Sequence, residues 1–228
     1  MLMSTVGTYV ALSPPNTSGP SSKPPSSDND DLIRRLNLTN KHSTKIALAP
    51  LGLVALHTSG LALLHPHPPP FLLRHGIDNS LSPDLIAWST ATAVPLSLIL
   101  CVGIPLRLIP YAALAKDFTF ALTKPTRLNT SGIYSFVQHP SYVGILVLVA
   151  SNVALFGRPD GVFACWIPPS WYPVARQSIW LLEVASLALM LLVIRTRVQQ
   201  EERMLKKEFG EKWERWHART ARFIPWVF

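Results

Sequence analysis

The sequence predicts an all-α, polytopic membrane protein with about four transmembrane helices, a disordered N-terminal tail and a cytosolic C-terminal helical cap. Three observations carry this. Of 228 residues, 48% are hydrophobic and only 15% charged, which leaves too little polar surface to cover a soluble domain. Four apolar stretches are each about as long as a helix needs to cross a ~30 Å hydrocarbon core at ~1.5 Å per residue. The basic residues are divided very unevenly between the segments that join them.

In chain order, residues 1–44 contain SPPNTSGPSSKPPSSDNDD, rich in Pro, Ser and Asp, and are expected to remain a disordered cytosolic tail. No secretory signal peptide is expected there. A membrane domain over 45–228 follows, with spans at 46–64, 85–106, 141–157 and 177–194. Pro50, Pro95 and Pro105 fall in or at the ends of these helices and are expected to mark kinks. The short third stretch crosses by tilting or pairs with FACWIPPSWYP after it.

Orientation follows from the charges. Of the 21 Lys and Arg, 18 lie before the first span, in the 107–140 loop or after residue 194; only Arg74, Arg158 and Arg176 lie in the other loops. By the positive-inside rule the 18 are cytosolic, as are both termini, and the 65–84 loop is lumenal. The net charge of +8 therefore reads as membrane orientation, and no nucleic-acid partner is expected. His65, His67 and His75 in that loop lack a neighbouring carboxylate or thiolate and read as a polar loop. Cys101 and Cys165 read as packing residues, so no metal site is expected.

Two polar, aromatic and basic segments abut the membrane on the same predicted face: 118–144 (FTFALTKPTRLNTSGIYSFVQHPSYVG) and 195–228 (RTRVQQEERMLKKEFGEKWERWHARTARFIPWVF). Leu128, Thr130, Gly132, Tyr134, His139, Pro140, Tyr142 and Gly144 in the first, with Arg197, Glu201, Glu202, Leu205, Phe209, Gly210 and Trp213 in the second, form a two-part pattern. In this the C-terminal half resembles the isoprenylcysteine carboxyl methyltransferases and their phospholipid methyltransferase relatives. Thr126 and Gln138 stand where that pattern has His and Arg.

The resemblance implies S-adenosylmethionine as cofactor and methyl transfer to the C-terminal carboxylate of a prenylated cysteine. The alternatives are phospholipid N-methylation or an inactive membrane scaffold. It implies an endoplasmic reticulum location and a role in processing prenylated proteins, with a prenylated or lipid-like substrate entering from the bilayer. Arg127, Leu128, Asn129, Tyr134, His139, Pro140, Ser141 and Tyr142 are implied to line the cofactor, partly through backbone groups, with Glu201 and Glu202 beside them. Arg197 is implied to orient the substrate carboxylate, with Arg195 a second candidate.

The chemistry of the residues is compatible with these roles. S-adenosylmethionine carries a sulfonium, an amine, a carboxylate and an adenine, so its pocket needs an acidic partner, hydrogen-bond donors and an aromatic slot. Tyr134 and Tyr142 offer rings, and Gly132 and Gly144 permit close backbone approach. Arg197 and Glu201, at i and i+4 on the continuation of the fourth span, share one helix face; Glu202 and Lys206 have the spacing of a solvated ion pair. Glu183, within the same span, is set apart from the site. A carboxylate acceptor is already ionised at neutral pH, so no general base is required and His139 reads as a positioning group. None of the 11 glycines forms G-x-G, which argues against a dinucleotide-type fold. Trp213, Trp216, Phe223 and Trp226, interleaved with basic residues, suit a helix on the membrane and a terminal segment folding back over the site.

Overall fold

A computed structural model describes residues 1–13, 41–115 and 125–225, with side chains described from residue 45 onward in the second of these stretches. Among the described residues the chain is helical, and extended pairing is limited to one isolated parallel bridge between Val137 and Ala221. The long elements are α1 (Leu2–Leu12), α2 (Lys41–Leu63), α3 (Thr90–Leu98), α4 (Ile104–Leu114), α5 (Pro140–Asn152), α6 (Tyr172–Phe209) and the short α7 (Glu211–His217). Four helical stretches have the length and composition to cross a membrane: Lys45–Leu63, Pro83–Leu114, Pro140–Gly157 and Tyr172–Phe209. They coincide with the four expected spans and extend the second and fourth.

The second span is interrupted for a local reason. Pro105 has no N–H and its ring would collide with the carbonyl four residues earlier, so a straight α-helix through it is disfavoured. The chain instead takes a π-helical turn at Ile99–Gly103, in which Ile104 N–H donates to Ile99 O. Gly103 and Gly144 then let α4 and α5 approach closely. A Cβ on Gly103 would meet Leu148 Cγ at 2.8 Å, and one on Gly144 would meet Arg107 Cγ at 2.9 Å and Arg107 N and Leu106 C at 3.1 Å. Small residues of this kind drive helix association where lipid removes the hydrophobic incentive. Gly144 thus serves helix packing rather than ligand approach. Because the backbone opposite it cannot retreat cheaply, Gly144→Ala is expected to cost ~1–3 kcal/mol, read as a lower unfolding midpoint in detergent.

The expected disordered tail is corrected at its start and at its end. Leu2–Leu12 is a helix whose buried face, Ser4, Thr8 and Ala11, repeats at helical spacing and packs against α2 and α4. Thr8 Oγ1 accepts from Asn152 Nδ2 at 3.1 Å, and Ala11 O accepts from Arg107 Nε at 3.1 Å and Tyr111 OH at 2.6 Å. Residues 41–44 are likewise helical; residues 14–40 lie outside the described residues.

At 38 residues, α6 is about 57 Å long at ~1.5 Å per residue, nearly twice a ~30 Å hydrocarbon core. Only 6% of its apolar window is buried, against 22–39% in the other spans, so most of its flank faces outward. Its last turns therefore extend beyond the apolar layer, where Gly210, at φ 50°, breaks the helix and starts α7. If the charge asymmetry sets orientation, protease added to sealed microsomes should remove a tag from either terminus; protection of either tag would contradict it.

Candidate active site

The segment entering α5 is held in place by side chains that satisfy its backbone. Asn129 Nδ2 donates to Ala113 O at 3.1 Å, tying the loop to the end of α4, while its Oδ1 accepts from Ser131 N at 3.1 Å and Ser131 Oγ at 3.0 Å. Gly132 takes a left-handed conformation, φ 61°, and opens a single 3₁₀ turn at Gly132–Ser135. Leu128 and Tyr134 are buried; burial raises the Tyr134 phenol above its ordinary range, and nearby Glu201 adds to the shift while Arg107 opposes it. Tyr134 O accepts from Trp216 Nε1 at 2.8 Å. Arg127 is exposed at the loop surface.

His139 precedes α5 and Pro140 opens it, its missing N–H being one that a helix start leaves unpaired anyway. One turn on, Tyr142 OH donates to Glu201 Oε2 at 3.0 Å, and Arg197 lies close to the same hydroxyl. His139 Nε2 lies 3.3 Å from Glu202 Oε1, and Nδ1 lies 3.9 Å from Glu201 Oε2. The two polar segments, more than fifty residues apart in sequence, therefore meet at one end of the bundle. Arg197 is only 5% exposed, whereas Arg195 is exposed, as their two-residue separation on a helix dictates. The arrangement gathers Arg197 and Glu201 around one hydroxyl, a cation and an anion on the same helix face.

Ion pairing differs from the spacing-based expectation. Glu202 pairs with Arg222, Nε to Oε1 at 3.2 Å, and with His139, not with Lys206. Lys206 instead reaches Glu214 at 3.0 Å across the Gly210 break. Gln138 is also not a vacant position: the residue is 4% exposed and its side chain is bonded to His217 and Thr220.

The residue that sequence reasoning missed is Arg107. Counted above as a loop cation, it is 4% exposed within α4, where Nη1 donates to Ser141 Oγ, Nη2 to Tyr111 OH and Nε to Ala11 O, with its guanidinium 4.8 Å from the Tyr111 ring centre. The signal was present in GIPLRLIPY, since a lone charge inside an apolar run is a candidate by default. Glu183 lies away from this end, with its Oε1 next to Gly157 and without a partner among the described residues. Among the described residues, no three His, Cys, Asp or Glu are grouped to hold a metal.

The side chains suit S-adenosylmethionine: two carboxylates for cationic groups, with buried aromatic rings near them. Searches of curated proteins and of solved structures returned no match. Residues 95–168, which carry Arg107 and the His139–Gly144 segment, match the family model described as the Isoprenylcysteine carboxyl methyltransferase (ICMT) family.

Proposed function

We propose that the protein is a membrane methyltransferase that uses S-adenosylmethionine to esterify the C-terminal carboxylate of a prenylated cysteine. The observation that carries this reading is the junction of Tyr142 and His139 with Arg197, Glu201 and Glu202, which sets a buried guanidinium beside a carboxylate at the end of a membrane helix. The match of residues 95–168, which include His139 and Tyr142, supports the methyltransferase class.

When bound, S-adenosylmethionine supplies an electrophilic methyl group on a positively charged sulfur. The residues supply alignment. Glu201 would hold the cofactor's amino group, and Tyr142, which donates to Glu201 and lies beside Arg197, sets their separation. Arg197 would hold the acceptor carboxylate through a forked, charge-assisted pair. No proton moves at the acceptor, because the carboxylate is already ionised, so His139 orients Glu202 instead of acting as a base. The weakly covered flank of α6 supports sideways arrival of a prenyl chain from lipid, leaving its carboxylate at the membrane surface. In this reading the protein resides in the endoplasmic reticulum with the site and both termini facing the cytosol.

Membranes containing the protein should transfer label from S-adenosylmethionine to N-acetyl-farnesylcysteine and leave phosphatidylethanolamine unlabelled. Labelling of phosphatidylethanolamine alone would assign the protein to phospholipid methylation; labelling of neither would leave a scaffold role.

A further inference from the structure

We propose that Gln138 is a positioning residue that latches the C-terminal segment over the cofactor pocket, an inference that rests on the methyltransferase reading above. Its side-chain amide is used from both ends. Nε2 donates to Thr220 O at 2.9 Å, Thr220 Oγ1 at 2.9 Å and His217 O at 3.2 Å. Three oxygens around one end identify it as the nitrogen, so the other end is the oxygen, and it accepts from His217 Nδ1 at 2.8 Å. The proton of His217 is thereby fixed on Nδ1, and its ring stacks on Trp213 with centroids 4.4 Å apart.

The backbone continues the attachment. Gln138 N donates to Ala221 O at 2.8 Å, His139 N to Arg222 O at 3.0 Å, and Ala221 N to Phe136 O at 3.0 Å. This register delivers two side chains to the site: Arg222 Nε, 3.2 Å from Glu202 Oε1, and the ring of Phe223, 5.9 Å from that of His139. The end of the described chain is therefore brought beside His139 and Glu202 and is held there by Gln138, whose side chain bonds His217 and Thr220. The departure at position 138 has a chemical logic. Arginine offers five donors and no acceptor and leaves the His217 N–H unmet, whereas glutamine donates and accepts at once.

The test uses the full-length protein in lipid nanodiscs, with S-adenosylmethionine affinity, steady-state kinetics and amide hydrogen exchange as readouts. Gln138→Leu is expected to raise the Kd and KM for S-adenosylmethionine about tenfold, as a fall of the closed population to roughly a tenth dictates, with kcat at saturating cofactor and KM for the acceptor changed by less than about twofold. Exchange at the Gln138, His139 and Ala221 amides should accelerate in parallel. Thr220→Val, which removes one acceptor and retains the packing, should shift the cofactor Kd in the same direction by roughly two- to threefold. Faster exchange with unchanged cofactor affinity in both variants overturns the inference, as does a fall in kcat alone. Absence of S-adenosylmethionine binding by the unmutated protein removes the methyltransferase reading and this inference together, whereas normal binding by the parent and both variants removes the inference only.

Discussion

Arg197→Lys is expected to lower kcat/KM for a prenylated cysteine by roughly a hundredfold or more while leaving S-adenosylmethionine affinity near its original value. The guanidinium is buried beside the Tyr142 hydroxyl, so packing restricts its planar fork before any acceptor arrives. Lysine keeps the charge and loses the fork, and a nucleophile displaced by about 1 Å loses reactivity on this scale. Arg195→Lys is the matched control: Arg195 is exposed, and its replacement should be nearly silent. Loss at Arg195 with a silent Arg197 would transfer the clamp to the outer face of the helix. Full activity in both variants would remove the carboxylate clamp altogether.

Glu201→Ala should weaken S-adenosylmethionine binding by about ten- to a hundredfold, since a charge-assisted hydrogen bond contributes ~1.5–3 kcal/mol. The same change leaves the Tyr142 hydroxyl without its Glu201 acceptor. Kd measured by calorimetry in detergent reads the effect directly. The fold should persist, because Glu201 lies beyond the apolar window of α6 and the bundle is packed elsewhere, around Leu61, Ile99 and Leu148. Unchanged cofactor affinity would make Glu201 a surface charge.

The four spans were legible because apolar length is a property of the local sequence, and Pro105 announced the break that the π-turn accommodates. The contact between Tyr142 and Glu201 was legible only through the two-part pattern, since nothing local links residues 59 positions apart. Helix α1 was lost for a compositional reason: LMSTVGTYVAL was averaged with the Pro- and Ser-rich stretch behind it, and its buried face consists of Ser4, Thr8 and Ala11, which carry little hydropathy. Arg107 was lost because a second span drawn to end at residue 106 turned a buried cation into a loop cation, whereas the helix continues to Leu114. The Gln138 cluster was legible only as a departure from the two-part pattern, and its partners were not, because they lie 79 and 82 residues away.

Methyl transfer to a carboxylate oxygen is tested most directly by the chemistry of the labelled product. Membranes containing the protein are supplied with methyl-labelled S-adenosylmethionine, N-acetyl-farnesylcysteine and phosphatidylethanolamine together, and the labelled lipid fraction is treated with alkali. A methyl ester hydrolyses, so the label is expected to leave as volatile methanol, whereas an N-methylated headgroup released by the same alkali stays non-volatile. Label that survives alkali in that non-volatile form would contradict the account and place the acceptor among amines.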